Sequence, residues 1–195
     1  MKENLEWEPI KTEHIVQDQW IDFRRVQYRM PDGTEFGPYY NYSRGSYVVI
    51  LASDAEENYL CVRQYRHGIR QVTNEFPAGG IEWSDYMENN TDMRNTVAVE
   101  EALAAAKREL QEETGYISDE WKHLITIPSN ATLADNYAYV FTAKNCRQVS
   151  GLKLDETEFL HVRKYTAKEI ENLIADGQFQ QAIHVMAWYM AKSGQ

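Results

Sequence analysis

The apolar positions of this chain recur mostly with a short period. Trp20 to Met30 alternates in part and is rich in aromatic and β-branched residues. Pro31-Asp32-Gly33 supplies a turn, and Thr34 to Tyr42 returns as a strand, which predicts an antiparallel hairpin. Ser46 to Ala52 and Tyr59 to Gln64 read as strands around the polar turn Asp54 to Asn58. Further strands are expected at Lys122 to Ile127, Tyr137 to Ala143 and Phe159 to Tyr165. Helical spacing appears over Val97 to Thr114 and again over Ala167 to Ala175 and Gln180 to Ala191. Thr166 with Glu169 three residues on is a capping-box pattern. Mixed strands with helices on both sides predict an α+β chain folded as an α/β/α sandwich, with an N-terminal hairpin element over residues 1–44 and the main domain over 45–195. There is no internal repeat and no low-complexity linker.

The first helix carries the chemistry. Val99, Ala102, Leu103, Ala106 and Leu110 form its apolar stripe. At about 100° per residue, Glu113 projects inside that stripe and Glu109 at its edge. With Glu112 they crowd three carboxylates into the helix C-terminus, which already carries partial negative charge. One reading is a solvated face salt-bridged to Lys107 and Arg108. Another has the helix ended at Glu113, with Gly115 as its C-cap. The third is an oxygen-ligand site for a divalent cation such as Mg²⁺, since an unpaired carboxylate on a buried face is expensive.

The surroundings favour the third. From Glu100 the chain runs seven residues to Arg108-Glu109-Leu110-Gln111-Glu112-Glu113-Thr114-Gly115-Tyr116, and Glu75-Phe76-Pro77-Ala78-Gly79-Gly80 lies upstream. This resembles the Nudix box: Gly, five residues, Glu, seven residues, then Arg-Glu-apolar-x-Glu-Glu-x-Gly-apolar. Every fixed position from Glu100 to Tyr116 matches. The first gap departs. The position six before Glu100 is Arg94, and if Gly79 is the counterpart, twenty residues intervene instead of five. The extra segment, about 83–96, is polar and aperiodic and reads as an inserted loop beside the site.

Val62-Arg63-Gln64-Tyr65-Arg66-His67-Gly68 followed by Glu75-Phe76-Pro77-Ala78-Gly79 is similar to the ADP-ribose and nucleotide-sugar pyrophosphatase branch of that family. The resemblance implies substrate contact by Arg66, with Arg63 and Glu75 as further substrate-side candidates. It implies Mg²⁺, or Mn²⁺ in its place, held by the Ala78 carbonyl, Glu109, Glu112 and Glu113, with Glu112 also a catalytic candidate and Glu100 a weaker ligand. Arg108 has a structural role to play among these acids. Asp155-Glu156-Thr157-Glu158 stands where the branch carries a late acidic loop, so Glu156 or Glu158 is the expected general base. Many ADP-ribose hydrolases of this kind carry Pro-Gly after the box, and Pro128-Ser129-Asn130-Ala131-Thr132-Leu133 lacks it, which weakens ADP-ribose as the specific substrate. The rings of Trp20, Phe23, Tyr28, Phe36, Tyr39 and Tyr40 offer a stacking surface for a nucleobase, a core contact or a dimer surface. The branch pairs through its N-terminal strands, which implies a homodimer.

Composition narrows the alternatives. A net charge of −10 and a pI near 5.0 argue against a nucleic-acid surface, although a bound cation reverses the local field for a small polyanion. Cys61 and Cys146 form neither a zinc spacing nor a disulfide framework, and the chain shows no signal-peptide pattern or long apolar run, so a cytoplasmic protein free of the membrane is expected. The expected substrate is a nucleoside diphosphate sugar. The competing readings are a catalytically silent nucleotide sensor and a hydrolase of a different nucleoside diphosphate compound, such as a dinucleoside polyphosphate.

Overall fold

A computed structural model describes residues 4–81, 97–154 and 158–194. The expected insertion at 83–96 and the residue Glu156 lie outside the described residues. Among the described residues there are two sheets. The first holds β1 (Glu8–Gln17), β2 (Asp22–Arg29) and β3 (Glu35–Ser43) in that order, all antiparallel. The hairpin expected from sequence is therefore the inner part of a three-stranded sheet. Glu8–Gln17 escaped the sequence reading because it is exposed almost throughout and shows no clean two-residue period.

The second sheet is mixed and has eight strands. Its main path runs β11 (Leu160–Tyr165), β5 (Tyr59–Arg66), β4 (Tyr47–Asp54), β10 (Tyr137–Gln148), β8 (Tyr116–Ile117). β6 (Gln71–Glu75) pairs with β5, β7 (Ala78–Gly80) with β4 and β9 (Glu120–Pro128) with β10. β4 and β10 are parallel, and the other pairs are antiparallel. The short β6 and β7 had no readable period because Pro77 interrupts them after five residues.

The strands at the centre read as continuous apolar runs because both faces are covered. α1 (Val99–Thr114) lies on one face, where Ala102, Ala106 and Leu110 pack on Val48, Ile50, Leu60, Tyr139 and Phe141. α2 (Ala167–Ala175) and α3 (Ala182–Lys192) cover the other, around Val49, Leu51, Phe76, Phe179 and Trp188. Thr166 and Glu169 make both bonds of the capping box. Both cysteines are buried and unpaired. Among the described residues no helix is long and apolar enough to cross a membrane.

The N-terminal sheet is fastened to the main body by polar contacts. The buried Arg24 bonds Asp22 at 3.0 Å and Asp135 at 2.9 Å, and Tyr42 N–H reaches the Leu133 carbonyl at 2.8 Å. The seam between the two sheets leaves a cleft of about 640 Å³.

Candidate active site

The same stripe that packs α1 on the sheet turns its last acids inward. Glu109 is 7% exposed and Glu113 2%. An Oε2 of Glu113 accepts the Ala78 N–H at 2.9 Å. The β4–β7 ladder explains why that N–H is available. Pro77 C=O bonds Ile50 N–H, so the next facing pair, Val49 with Ala78, is a non-hydrogen-bonded one. Ala78 therefore turns both N–H and C=O away from β4, toward the acids of α1. Gly79 makes the close approach possible. A Cβ there would fall 1.9 Å from the Glu109 carboxyl carbon.

Burial pushes the Glu113 carboxyl up to about 8, against the Ala78 hydrogen bond and with help from the charges of Glu109 and Glu158. Glu109 is raised by burial as well, with Arg108 opposing and Glu112 and Glu158 adding to it. Arg108 spans the outer side of the cluster, bonding Glu112 and Glu109, each at 2.8 Å, and the Gly80 carbonyl at 2.9 Å. Among the described residues no three acidic, histidine or cysteine side chains converge as a formed metal centre. Glu112 is turned to Arg108 and Glu113 to Ala78. The donor set is nonetheless all oxygen, crowded, and short of positive charge, which suits a hard divalent cation.

Arg66 ends β5 at the cleft. Its Nε donates to Glu75 at 2.9 Å and its Nη2 at 2.5 Å. Glu75 is wholly buried and also receives the Thr73 hydroxyl, so it stands behind Arg66 instead of facing the cleft. Burial alone would raise the Glu75 carboxyl, but Arg66 outweighs it and holds it below its usual range. The next residue, Phe76, donates its N–H to His184 Nδ1 at 3.1 Å. Arg63 is exposed and, three residues from Arg66 on one strand, points to the opposite face. The structure brings Arg66 and Glu75 together and leaves Arg63 apart. Glu100 is exposed in the first turn of α1, about 13 Å along the axis from Glu109.

A NUDIX domain model matches residues 43–189. The chain belongs to the Nudix family. Over 184 residues it is 27% identical to a methanol dehydrogenase activator of Bacillus methanolicus, covering 94% of this chain and 91% of that protein. Over 180 residues it is 26% identical to an ADP-ribose pyrophosphatase of Bacillus subtilis, covering 92% and 89%. An ADP-ribose pyrophosphatase of Mycobacterium tuberculosis is 29% identical over 152 residues, covering 74% of this chain and 62% of that protein. The crystal structure of an ADP compounds hydrolase superposes with a TM-score of 0.77 at 18% identity, covering 98% of this chain and 96% of that one, and so shares the fold.

The chain is accordingly a Nudix hydrolase. Ala78-Gly79-Gly80 pairs with β4, while the acids end α1, and the two meet through Glu113 to Ala78 and Glu109 to Gly79. Glu158 comes just before β11, and its charge bears on both Glu109 and Glu113. Trp20 borders the cleft while 75% exposed, on a turn closed by Asp18, whose carboxylate accepts the N–H of Trp20 at 2.7 Å and of Ile21 at 3.0 Å. Ser129 and Asn130, of the loop that lacks Pro-Gly, line it too. Sequence reasoning missed Thr73, Arg44 and Tyr47. Thr73 supports Glu75 from two positions earlier on the same face of β6, and Arg44 and Tyr47 lie in and just after the link from β3 to β4, which has no motif of its own.

Proposed function

We propose that this protein hydrolyses the diphosphate bond of ADP-ribose or a related nucleoside diphosphate sugar, with Mg²⁺ or Mn²⁺, releasing a nucleoside monophosphate and a sugar phosphate. The observation that carries the reading is the buried pair Glu109 and Glu113 lodged against Ala78 and Gly79, beside a cleft bordered by Arg66. The two relatives named ADP-ribose pyrophosphatase support the substrate class. Glu109, Glu113, the Ala78 carbonyl and Glu112 would hold the metal, which when bound neutralises the diphosphate and makes a bound water more acidic. Arg66, oriented by Glu75, would pair with phosphate oxygens. Glu158 or Glu156 would take the proton of the attacking water. The new P–O bond forms on one phosphorus as the bridging oxygen leaves with the other phosphoryl group. Trp20 would stack on the base.

A catalytically silent sensor is the poorer reading, because a binding module gains nothing from two carboxyl groups whose burial is costly. The relative named as a methanol dehydrogenase activator supports a second reading, the activation of a dehydrogenase. The decisive assay incubates the protein with Mg²⁺ and, in turn, ADP-ribose, GDP-mannose, UDP-glucose, a diadenosine polyphosphate and NADH. Product release from a nucleoside diphosphate sugar, lost in Glu113→Gln, is expected. Tight binding with no cleavage of any compound would sink the proposal in favour of the sensor.

A further inference from the structure

The cleft is lined by Trp20, of the turn between β1 and β2, and by Ser129 and Asn130, of the turn between β9 and β10. Each turn is closed on itself. Asp18 closes the first. In the second, the Asn130 carbonyl accepts the Ala134 N–H at 2.8 Å and the Ser129 hydroxyl donates to Asn136 Oδ1 at 2.5 Å. Arg24 joins the two. Its Nη1 donates to Asp22, two residues past Trp20, at 3.0 Å and to the Ser43 hydroxyl at 2.5 Å. Its Nη2 donates to Asp135 at 2.9 Å, and the Ser43 hydroxyl donates to the same Asp135 oxygen. Alongside, the Tyr42 N–H on the Leu133 carbonyl sets Tyr42 in a parallel bridge with Ala134. The side chains of Arg24, Asp22 and Asp135 are each at most 22% exposed, and none of them lines the cleft.

Stability alone explains this join poorly. Arg24 Nε is buried without an acceptor, and one guanidinium answers two carboxylates. An unmade buried hydrogen bond costs stability, and a well-packed apolar contact of similar volume often holds as firmly as a buried ion pair. What a charged fork adds is one fixed geometry. We propose that Arg24 and Asp135 form a latch that holds the Trp20 turn at a set distance from the Ser129–Asn130 turn, and so fixes the width of the cleft at the nucleoside end of the substrate. This rests on the nucleoside diphosphate sugar reading above, with Trp20 against the base. Arg24 and Asp135 are positioning residues in it. They touch neither substrate nor metal and act through the two turns they join.

The test uses the full chain with Mg²⁺. Arg24→Gln and Asp135→Asn open the latch from either side. Each is expected to raise KM for the best nucleoside diphosphate sugar of the panel by roughly fivefold or more, with kcat within about twofold, and to weaken AMP in binding calorimetry by a similar factor. The double variant should lose no more than the worse single one, because both remove the same interaction. Hydrogen exchange of the Tyr42 amide should quicken by about tenfold or more in each variant while the amides of α1 keep their rates. A merely structural role would lower kcat through the unfolded fraction and leave KM unmoved. If Arg24→Gln does not fold, Asp135→Asn alone carries the comparison. The latch is overturned if KM and AMP affinity stay at their wild-type values, if the single effects add in the double variant, if Tyr42 exchange is unchanged, or if wild type neither cleaves a nucleoside diphosphate sugar nor binds AMP. Latch-dependent AMP binding without cleavage of any nucleoside diphosphate sugar would leave the latch standing and overturn the substrate reading instead.

Discussion

Gly79 and Glu109 show how one missing carbon makes room for a carboxylate. The clash a Cβ would cause is with the far end of a side chain, which can swing away. Gly79→Ala is therefore expected to leave thermal stability nearly unchanged while displacing Glu109. Misplacing such a group costs roughly 10²-fold in rate, so kcat measured against Mg²⁺ concentration should fall by about that much. A variant with normal turnover would show that Glu109 need not sit against Gly79. His184 gives a second prediction at this scale. Burial, aided by Arg66 and opposed by Glu75, depresses its imidazole to about 4. Nδ1 must stay unprotonated to accept the Phe76 N–H. The unfolded chain binds a proton below about 6.5, while the native chain refuses it until about 4, so the unfolded state holds more protons in that window. Stability present above about 6.5 is then lost as pH falls toward 4, by about 3 kcal/mol at most. Urea midpoints measured across that range should drop more steeply for wild type than for His184→Gln, and equal slopes would refute the assignment.

At the scale of elements, α1 stops where its cap allows. Gly115 adopts φ +77 and its N–H bonds the Gln111 carbonyl. Gly115 is the cap expected from the sequence, but the helix runs through Glu113 and Thr114 before Gly115 ends it, one residue beyond the end at Glu113. Residues 149–153 then fold back on the helix end, with Val149 N–H on the Gly115 carbonyl and Lys153 N–H on the Glu112 carbonyl. A Cβ on Gly115 would sit 2.3 Å from the Ser150 carbonyl oxygen, which is backbone and cannot swing aside. Gly115→Ala should cost on the order of 2 kcal/mol or more, the left-handed penalty plus the clash, read as a lowered urea midpoint. A neutral result would mean that the 149–153 segment is free to shift.

At the scale of the molecule, the N-terminal sheet exposes more apolar surface than a single copy needs. Trp7, Ile15, Val16, Phe36, Tyr39 and Tyr40 are each at least 40% exposed there. Trp7, Tyr28 and Tyr39 pack edge to face among themselves, and Phe36 lies tilted against Tyr39, so the patch is already shaped. Two copies joined through this sheet would cover it. Light scattering at micromolar concentration should report twice the 22.8 kDa of the chain, and Phe36→Glu should shift it toward the monomer. A wild-type monomer would refute the pairing.

Much of this protein was legible in one dimension. The long periodic helix, the central apolar strands and the acidic spacing of the Nudix box depend on local propensity and on which side chains must be buried, and both are written in sequence order. The strands β1, β6, β7 and β8 were not legible, because they are too exposed or too short to carry a period and exist only through pairing with a neighbour. The site divides the same way. That Glu109 and Glu113 turn inward follows from the helical angle alone. That Glu75 stands behind Arg66 was decided by the β5–β6 register, and that Gly79 rests against Glu109 by how α1 packs on the sheet, both of which set side chains face to face across gaps the chain order does not measure.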